Sequence, residues 1–199
     1  FVLDPTLDEV HSIPLACDES ADSDTTNRGV PNLLGSLAIS PDGGSLLVPG
    51  LHANRFRGTW RDGQALTHET TSRAILGLVD LSSGVEAPKR RKQFDDQDRS
   101  DALVFSPHGD LVYVSHPGTA TVHVLDATSF DIAGSLLDAG AAVAGLAISS
   151  DGDTLFVHAW LDRELRAYDV GELGAVPALL WATSVIRSEP LPSHVLLGK

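Results

Sequence analysis

Three stretches of the chain share one order of apolar and polar positions. Residues 37–50, 103–116 and 146–159 each place a short apolar run before a turn of the Ser-Pro-Asp-Gly type and a second apolar run after it. Such turn residues between short β-rich runs predict antiparallel strands joined by tight turns. One unit of this kind cannot bury its own apolar face, so the copies are expected to stack on one another.

A second landmark follows each copy, an apolar strand that closes on Asp80, Asp126 or Asp169, and Asp4 is a fourth example near the start. Each Asp precedes a turn, where we expect its side chain to accept backbone N–H groups two residues on. After each Asp one more strand-like segment is predicted, at residues 10–16, 85–94, 131–137 and 176–181. Four short strands in a 43-residue interval, as measured between the second and third copies, are typical of a β-propeller blade.

The copy at residues 103–126 carries a family resemblance. It has Tyr113-Val114-Ser115-His116 where YVTN-type repeats have Tyr-Val-Thr-Asn, and it closes on Val-Leu-Asp. The chain resembles the YVTN-type repeat of surface-layer and related seven-bladed β-propellers over about residues 1–182. This resemblance implies an all-β fold and a secreted, periplasmic or cell-surface bacterial protein, and it leaves the activity open because propellers serve many functions.

The repeat count predicts a β-propeller fragment of about three and a half four-stranded antiparallel blades. We place the last two strands of one blade at 1–16, whole blades at about 33–94, 101–138 and 144–182, and a linker to a missing C-terminal domain at 183–199. Because the usual rings have at least four blades, the chain is interpreted as part of a larger ring. Its unpaired sheet faces also suggest self-association.

Composition narrows the classes of partner. A net charge of −13 disfavours nucleic acid, which requires clustered Lys and Arg. The basic run at 89–92 is followed at once by Asp95 and Asp96, so we interpret it as a solvated strand edge or loop. The chain has one cysteine, hence no intramolecular disulfide, and no apolar stretch long enough to insert into a membrane.

The repeat is interrupted twice around its first full blade. About 20 extra residues lie at 51–73, and a further 13 lie near 18–32. In a propeller blade, the loop between the second and third strands and the loop between blades emerge on the same face. Long loops on a rigid scaffold often carry binding residues. We therefore predict a binding face for a protein partner or an adjacent domain.

The candidate residues for this face are chosen by their position in or beside these loops. They are His52, Arg55, Arg57, Trp60, Arg61, His68, Arg73, His116 and His158. An arginine cluster suits carboxylate, phosphate or an acidic protein surface. The alternative is that these arginines pair with Asp and Glu of neighbouring loops.

Metal binding and catalysis have fewer indications. The histidines that end second strands, His52, His116 and His158, would suit a metal if they converged, and they are otherwise turn residues. Asp18, Asp22 and Asp24 are candidates for Ca²⁺, although the EF-hand spacing is missing and a solvated loop is the alternative. No nucleophile–base spacing or catalytic motif occurs, so no catalytic residue is assigned.

The C-terminal Leu-Leu-Gly-Lys string resembles the segment that leads into the c-type haem domain of some di-haem peroxidase-like propeller proteins. The Cys-x-x-Cys-His attachment motif is absent, so this chain is expected to hold no haem and no other cofactor of its own. Three functions follow, in order of preference. They are a non-catalytic binding or scaffold module, the propeller of a periplasmic c-type haem oxidoreductase, and a lactonase-like hydrolytic propeller.

Overall fold

The computed structural model describes residues 2–3, 10–172, 174–188 and 190–196, so Asp4 and residues 197–199 lie outside the described residues. The chain divides into two units, Phe1–Asp96 and Gln97–Lys199, called unit 1 and unit 2 below. Both are built from antiparallel strands, and the described helices are single turns of four residues. The all-β fold class predicted from the repeat is confirmed. Among the described residues, no helix is long and apolar enough to cross a membrane.

Besides one 3-10 turn, the described residues of unit 1 form eight strands and one α-helical turn. These are β1 (Val2–Leu3), β2 (Val10–His11), β3 (Val30–Asn32), β4 (Ala38–Ile39), β5 (Ser45–Ala53), α1 (His68–Thr71), β6 (Ser72–Asp80), β7 (Val85–Glu86) and β8 (Lys92–Gln93). β1 pairs with β2, and the other six strands form one sheet. Within that sheet β4 and β3 pair with successive parts of β5, while β7 and β8 pair with successive parts of β6. Six strands therefore occupy four ladder positions.

Two predicted strands of unit 1 are shorter than expected. The strand predicted at 10–16 is limited to Val10–His11. The strand predicted at 85–94 is divided into β7 and β8 by a 3-10 turn at Pro88–Arg90. Pro88 causes the division, because proline has no N–H to donate to a ladder and suits the first position of a helical turn.

In the described part of unit 2, the strands form two four-stranded sheets and follow chain order within each sheet. The first comprises β9 (Leu103–Phe105), β10 (Leu111–His116), β11 (Thr121–Asp126) and β12 (Ile132–Leu136), and the second comprises β13 (Val143–Ile148), β14 (Thr154–Ala159), β15 (Glu164–Asp169) and β16 (Ala178–Ser184). A second helical turn, α2 (Ser193–Leu196), lies in the segment predicted as a linker.

The two sheets of unit 2 share one apolar core. Tyr113 and Val122 of the first sheet and Leu155 and Val157 of the second belong to the same buried cluster. Period-2 alternation places these residues on the inner faces, and each fully buried Val or Leu contributes about 1.5–3 kcal/mol. The expectation that repeat copies stack is therefore confirmed within unit 2.

The repeated turn has a specific hydrogen-bond pattern. Ser106 Oγ accepts the N–H of Leu111 at 3.1 Å and donates to the carboxylate of Asp110 at 2.6 Å. Ser40 and Ser149 also accept the N–H five residues on, and they donate to the carboxylate two residues on, at Asp42 and Asp151. The serine thus fixes the first residue of each second strand, which explains why the copies share it.

The Asp that closes each third strand also performs its predicted role. Asp80 and Asp126 each accept N–H groups two and three residues on, at 2.7–3.1 Å, and Asp169 accepts the N–H of Gly171 at 3.1 Å. These Asx turns end the strands and begin the hairpins. The structural interpretation of these carboxylates is confirmed.

Replacing Ser106 with alanine is expected to lower the free energy of unfolding by about 1–2 kcal/mol, because it removes a buried partner of the Leu111 N–H. Ser106 is buried, whereas Ser129 makes a comparable bond to Asp131 in solvent. Urea denaturation of Ser106→Ala and Ser129→Ala measures the contrast. Equal losses in the two variants would contradict the role assigned to Ser106.

Candidate functional site

The hairpin of β5 and β6 is the structural basis of the larger insertion. Both strands are nine residues long, whereas β10 and β11 have six. The added part of β5 pairs with β3, which comes from the smaller insertion. The 51–73 segment is therefore partly strand, and residues 54–71 form the loop above it. Both insertions belong to one substructure of unit 1.

Close contact between the two insertions requires Gly29. Its φ is 146°, and a Cβ there would lie 1.9 Å from the carbonyl oxygen of Ala53. Its N–H and carbonyl both bond to the backbone of Asp18, at 2.9 and 2.7 Å. Only glycine can adopt this backbone so close to a neighbouring strand. The glycine was the one sequence signal that could have indicated the contact.

A closed turn at the tip of the loop presents Trp60. The carbonyl of Gly58 accepts the N–H groups of residues 61–63 at 2.9–3.2 Å. The carboxylate of Asp62 accepts the N–H groups of Gly58 and Gln64, each at 3.1 Å. Trp60 is 99% exposed in this ordered turn. Its indole is therefore held in solvent by a defined backbone.

The smaller insertion braces this turn through ion pairs. Arg28 lies 3.0 Å from Asp62 and 3.5 Å from Asp22, and Arg57 lies 3.7 Å from Asp22. Asn54 donates to the same Asp22 carboxylate at 3.0 Å. Single surface pairs contribute about 0–1 kcal/mol, but a shared network adds order. Arg57 therefore pairs with an acid of a neighbouring loop, Asp22, which is the alternative that the sequence left open for these arginines.

Two other arginines of the loop have no acidic partner among the described residues. Arg55 lies over the ring of Phe56, 5.7 Å from its centroid, and Arg61 donates to the carbonyl of Asn54 at 3.2 Å. Both are exposed, and Arg61 follows Trp60 directly in the sequence. Trp60, Arg55 and Arg61 together are called the tip surface below.

The remaining candidates of unit 1 are not part of the tip surface. His68 is exposed, 3.8 Å from Asp96. Arg73 is buried, donates to Asp95 at 2.8 Å and to the carbonyl of Glu69 at 3.0 Å, and also bonds the carbonyl of Asp24. Arg73 therefore fastens the base of the loop, and it would need to become exposed to contact a partner.

His52 is fully buried in a polar network that sequence reasoning missed. Its Nδ1 lies 2.9 Å from Asn27 Oδ1, and its carbonyl accepts the Asn27 side-chain N–H at 3.1 Å. Gln93 exchanges two further bonds with the backbone of Asn27, at 2.8 and 2.9 Å. These bonds attach the smaller insertion to the sheet.

A buried ion pair completes the network. Glu86 accepts from Arg91 at 2.5 and 3.2 Å, and both side chains are 3% exposed. The backbone of Ala16 bonds to both, at 2.5 Å to the carboxylate and 3.0 Å to the guanidinium. The interpretation of residues 89–92 as solvated is wrong for Arg91, because a charged run contains no signal for which member has a buried partner. Burial, assisted by Arg91, lowers the pKa of His52.

His116 and His158 belong to unit 2. The His116 ring is fully buried, its Nδ1 lies 3.0 Å from the carbonyl oxygen of Arg99, and the ring of His123 meets it edge-on at 5.0 Å. Burial, and then His123, lowers the pKa of His116 to about 3. His158 is half-buried on β14, opposite Gly145 and Leu165 in the ladder.

The acidic candidates for a metal are engaged separately. Asp22 is held by Arg28, Arg57 and Asn54, while Asp18 accepts the N–H of Ser20 at 2.9 Å. In the parts of the chain that the structure describes, no three His, Cys, Asp or Glu side chains are grouped so as to hold a metal ion.

The sheets and their neighbours among solved structures define a β-propeller fold. No protein-family model matches the sequence, and no curated protein matches it. The chain is similar to Sqt1 of Chaetomium thermophilum bound to the N-terminus of ribosomal protein L10 (20% identity, 80% of this chain, 35% of that one, TM-score 0.56). It is also similar to a putative 6-phosphogluconolactonase from Bacteroides uniformis (15% identity, 78% of this chain, 42% of that one, TM-score 0.57). A third similar structure is Kuenenia stuttgartiensis hydrazine synthase (12% identity, 72% of this chain, 47% of that one, TM-score 0.56).

The chain spans 35% to 47% of the length of these three structures. At these identities the likeness establishes the fold and leaves activity open. The YVTN subtype and the haem-domain linker remain predictions.

Proposed function

We propose that this chain is a non-catalytic β-propeller scaffold that binds a protein partner through the tip surface. The observation that carries the proposal is Trp60, which is 99% exposed although its turn is closed by three backbone bonds to Gly58 and two N–H bonds to the Asp62 carboxylate, which Arg28 braces. Tryptophan and arginine are the residues most enriched at binding hot spots. A rigid aromatic side chain also loses little conformational entropy on binding.

A neighbouring propeller supports this assignment. Sqt1 is bound to the N-terminus of a ribosomal protein, so a protein of this fold takes a protein segment as its ligand. We extend that kind of ligand, a segment of a protein, to the present chain. The periplasmic or cell-surface location and a haem domain in a longer parent protein remain proposals that rest on the sequence resemblance.

The hydrolytic alternative has less support from the site. It requires an acid–base pair or a metal where a substrate can reach it. The rings of His52 and His116 are each 0% exposed, and each is bonded to neighbouring groups. Similarity to a putative lactonase at 15% identity extends to the fold alone.

Replacing Trp60 with alanine is expected to weaken partner binding by about 30-fold or more, the effect of losing a hot-spot side chain. The probe is a set of peptides selected from a random phage-displayed library against the wild-type protein, with Kd measured by calorimetry. Val176→Ala is the matched control, because Val176 is 90% exposed but lies outside the tip surface. Selected peptides that bind the Trp60→Ala variant with unchanged Kd would refute the assignment.

A further inference from the structure

The smaller insertion covers a buried histidine whose ring is bonded to Asn27 and faces the guanidinium of Arg91. We propose that the buried network around His52 is an acid-released latch, in which protonation of the His52 ring detaches the 18–32 loop from the sheet. The loop carries Asp22 and Arg28, so its release also removes the brace beneath Trp60. Only this last consequence rests on the proposed function.

The hydrogen-bond partners of the His52 ring determine which of its two nitrogens carries the hydrogen. A guanidinium can only donate, and Arg91 Nη1 lies 3.4 Å from His52 Nε2, so this nitrogen carries the lone pair. Nδ1 then carries the hydrogen and donates to Asn27 Oδ1. The Asn27 amide is oriented by its second bond, to the carbonyl of His52. The network thus selects one neutral tautomer.

A second proton would face the guanidinium of Arg91. Arg91 faces Nε2 from the segment between β7 and β8, and Arg73 is the cross-strand neighbour of His52 on β6. Asp18, from the inserted loop, is the anion that favours the charged ring, while the charge of Glu86 is already engaged by Arg91. Protonation of Nε2 breaks the contact with Arg91, while Nδ1–H still donates to Asn27. The charged ring is fully buried, so it regains water only when the covering loop opens.

The sign of the pH dependence follows from this geometry. Burial lowers the pKa of the latched ring, whereas the released ring has the ordinary pKa of about 6.5. The released state therefore binds the proton first, and the opening equilibrium rises by up to about tenfold for each pH unit below 6.5. Ordinary carboxylates titrate near pH 4, so the window from pH 7 to pH 5 isolates histidine.

Hydrogen exchange of the backbone amides at Asn27 and Gly29 tests the latch without any partner. After correction for intrinsic exchange, we expect their opening constants to rise several-fold between pH 7 and pH 5.5. His52→Gln should abolish this rise, because glutamine can donate to Asn27 and accept from Arg91 but cannot take up a proton. His68→Gln, which removes an exposed histidine of the same unit, should leave it unchanged.

Two results would overturn the proposal: an equal rise in His52→Gln, or parallel opening of the β6 amides, which would mean that unit 1 unfolds as a whole. If His52→Gln fails to fold, long-range ¹H–¹⁵N correlation spectra of the wild-type ring at pH 7 decide the matter. The Nδ1–H tautomer supports the latch, and the Nε2–H tautomer refutes it. Peptide binding at pH 7 tests the tip surface separately, so either proposal can fail alone.

Discussion

Replacing Glu86 with alanine is expected to lower the free energy of unfolding of unit 1 by about 3–5 kcal/mol. The change removes the only anion bonded to the buried guanidinium of Arg91, among the described residues, and also the acceptor of the Ala16 N–H. An uncompensated buried charge costs far more than the intact pair contributes. Since whole domains are stable by about 5–15 kcal/mol, unit 1 would be close to unfolding.

Two companion variants separate charge from packing in this experiment. Glu86→Gln keeps an acceptor and should be less destabilising than Glu86→Ala. The double change Glu86→Leu with Arg91→Met removes both charges and should recover most of the loss, because apolar residues of similar volume can replace a buried pair. Urea unfolding followed by exchange at β6 amides measures all three. A loss below about 1 kcal/mol in Glu86→Ala would show that water reaches the pair.

Acidification from pH 7 to pH 5 is expected to destabilise unit 2 by about 2 kcal/mol through His116 alone. The pKa of this ring is about 3 in the fold, against about 6.5 when unfolded. The unfolded chain therefore binds the proton first, so stability is complete above pH 6.5 and falls until about pH 3. A shift of this size corresponds to roughly 4–5 kcal/mol at its limit.

The variant His116→Gln isolates this effect, because glutamine can still donate to the carbonyl of Arg99 but does not titrate. Its unfolding free energy, measured by the exchange of β10 amides, should change by less than half as much as that of the wild type between pH 7 and pH 5. His158→Gln serves as the control for a half-buried histidine. Wild-type stability that is flat across this range would contradict the burial of His116.

The sequence predicted the repeated part of this fold because each repeat states its own structure locally. Alternating apolar residues define the strands, and Ser106 and Asp126 occur at the turns because their side chains bond nearby N–H groups. Gly29 and Pro88 are also apparent in the sequence. Their structural effects could not be predicted, because they depend on which strand lies beside each residue. The interrupted repeat spacing alone predicts that Trp60 lies in a loop.

The polar network under the loop was not predictable in this way. Glu86 bonds to Ala16, which is 70 residues away, and Asn27 bonds to Gln93 across 66 residues. No local pattern distinguishes Arg91 from its basic neighbours, since the pairing depends on which chain segments the sheet brings together. Likewise the sequence places His52 at the end of a predicted strand, and nothing nearby in the sequence shows that β3 pairs there and that the ring is buried.

The β5–β6 hairpin has three more residues in each strand than the β10–β11 hairpin, and this affects how a partner protein could approach unit 1. At about 3.3 Å per residue, the additional residues lift the loop roughly 10 Å further than a six-residue hairpin would. A broad, flat partner would touch the indole of Trp60 before it reached the rest of the blade. For the function proposed above, a partner surface with a recess would therefore fit this loop better than a flat one.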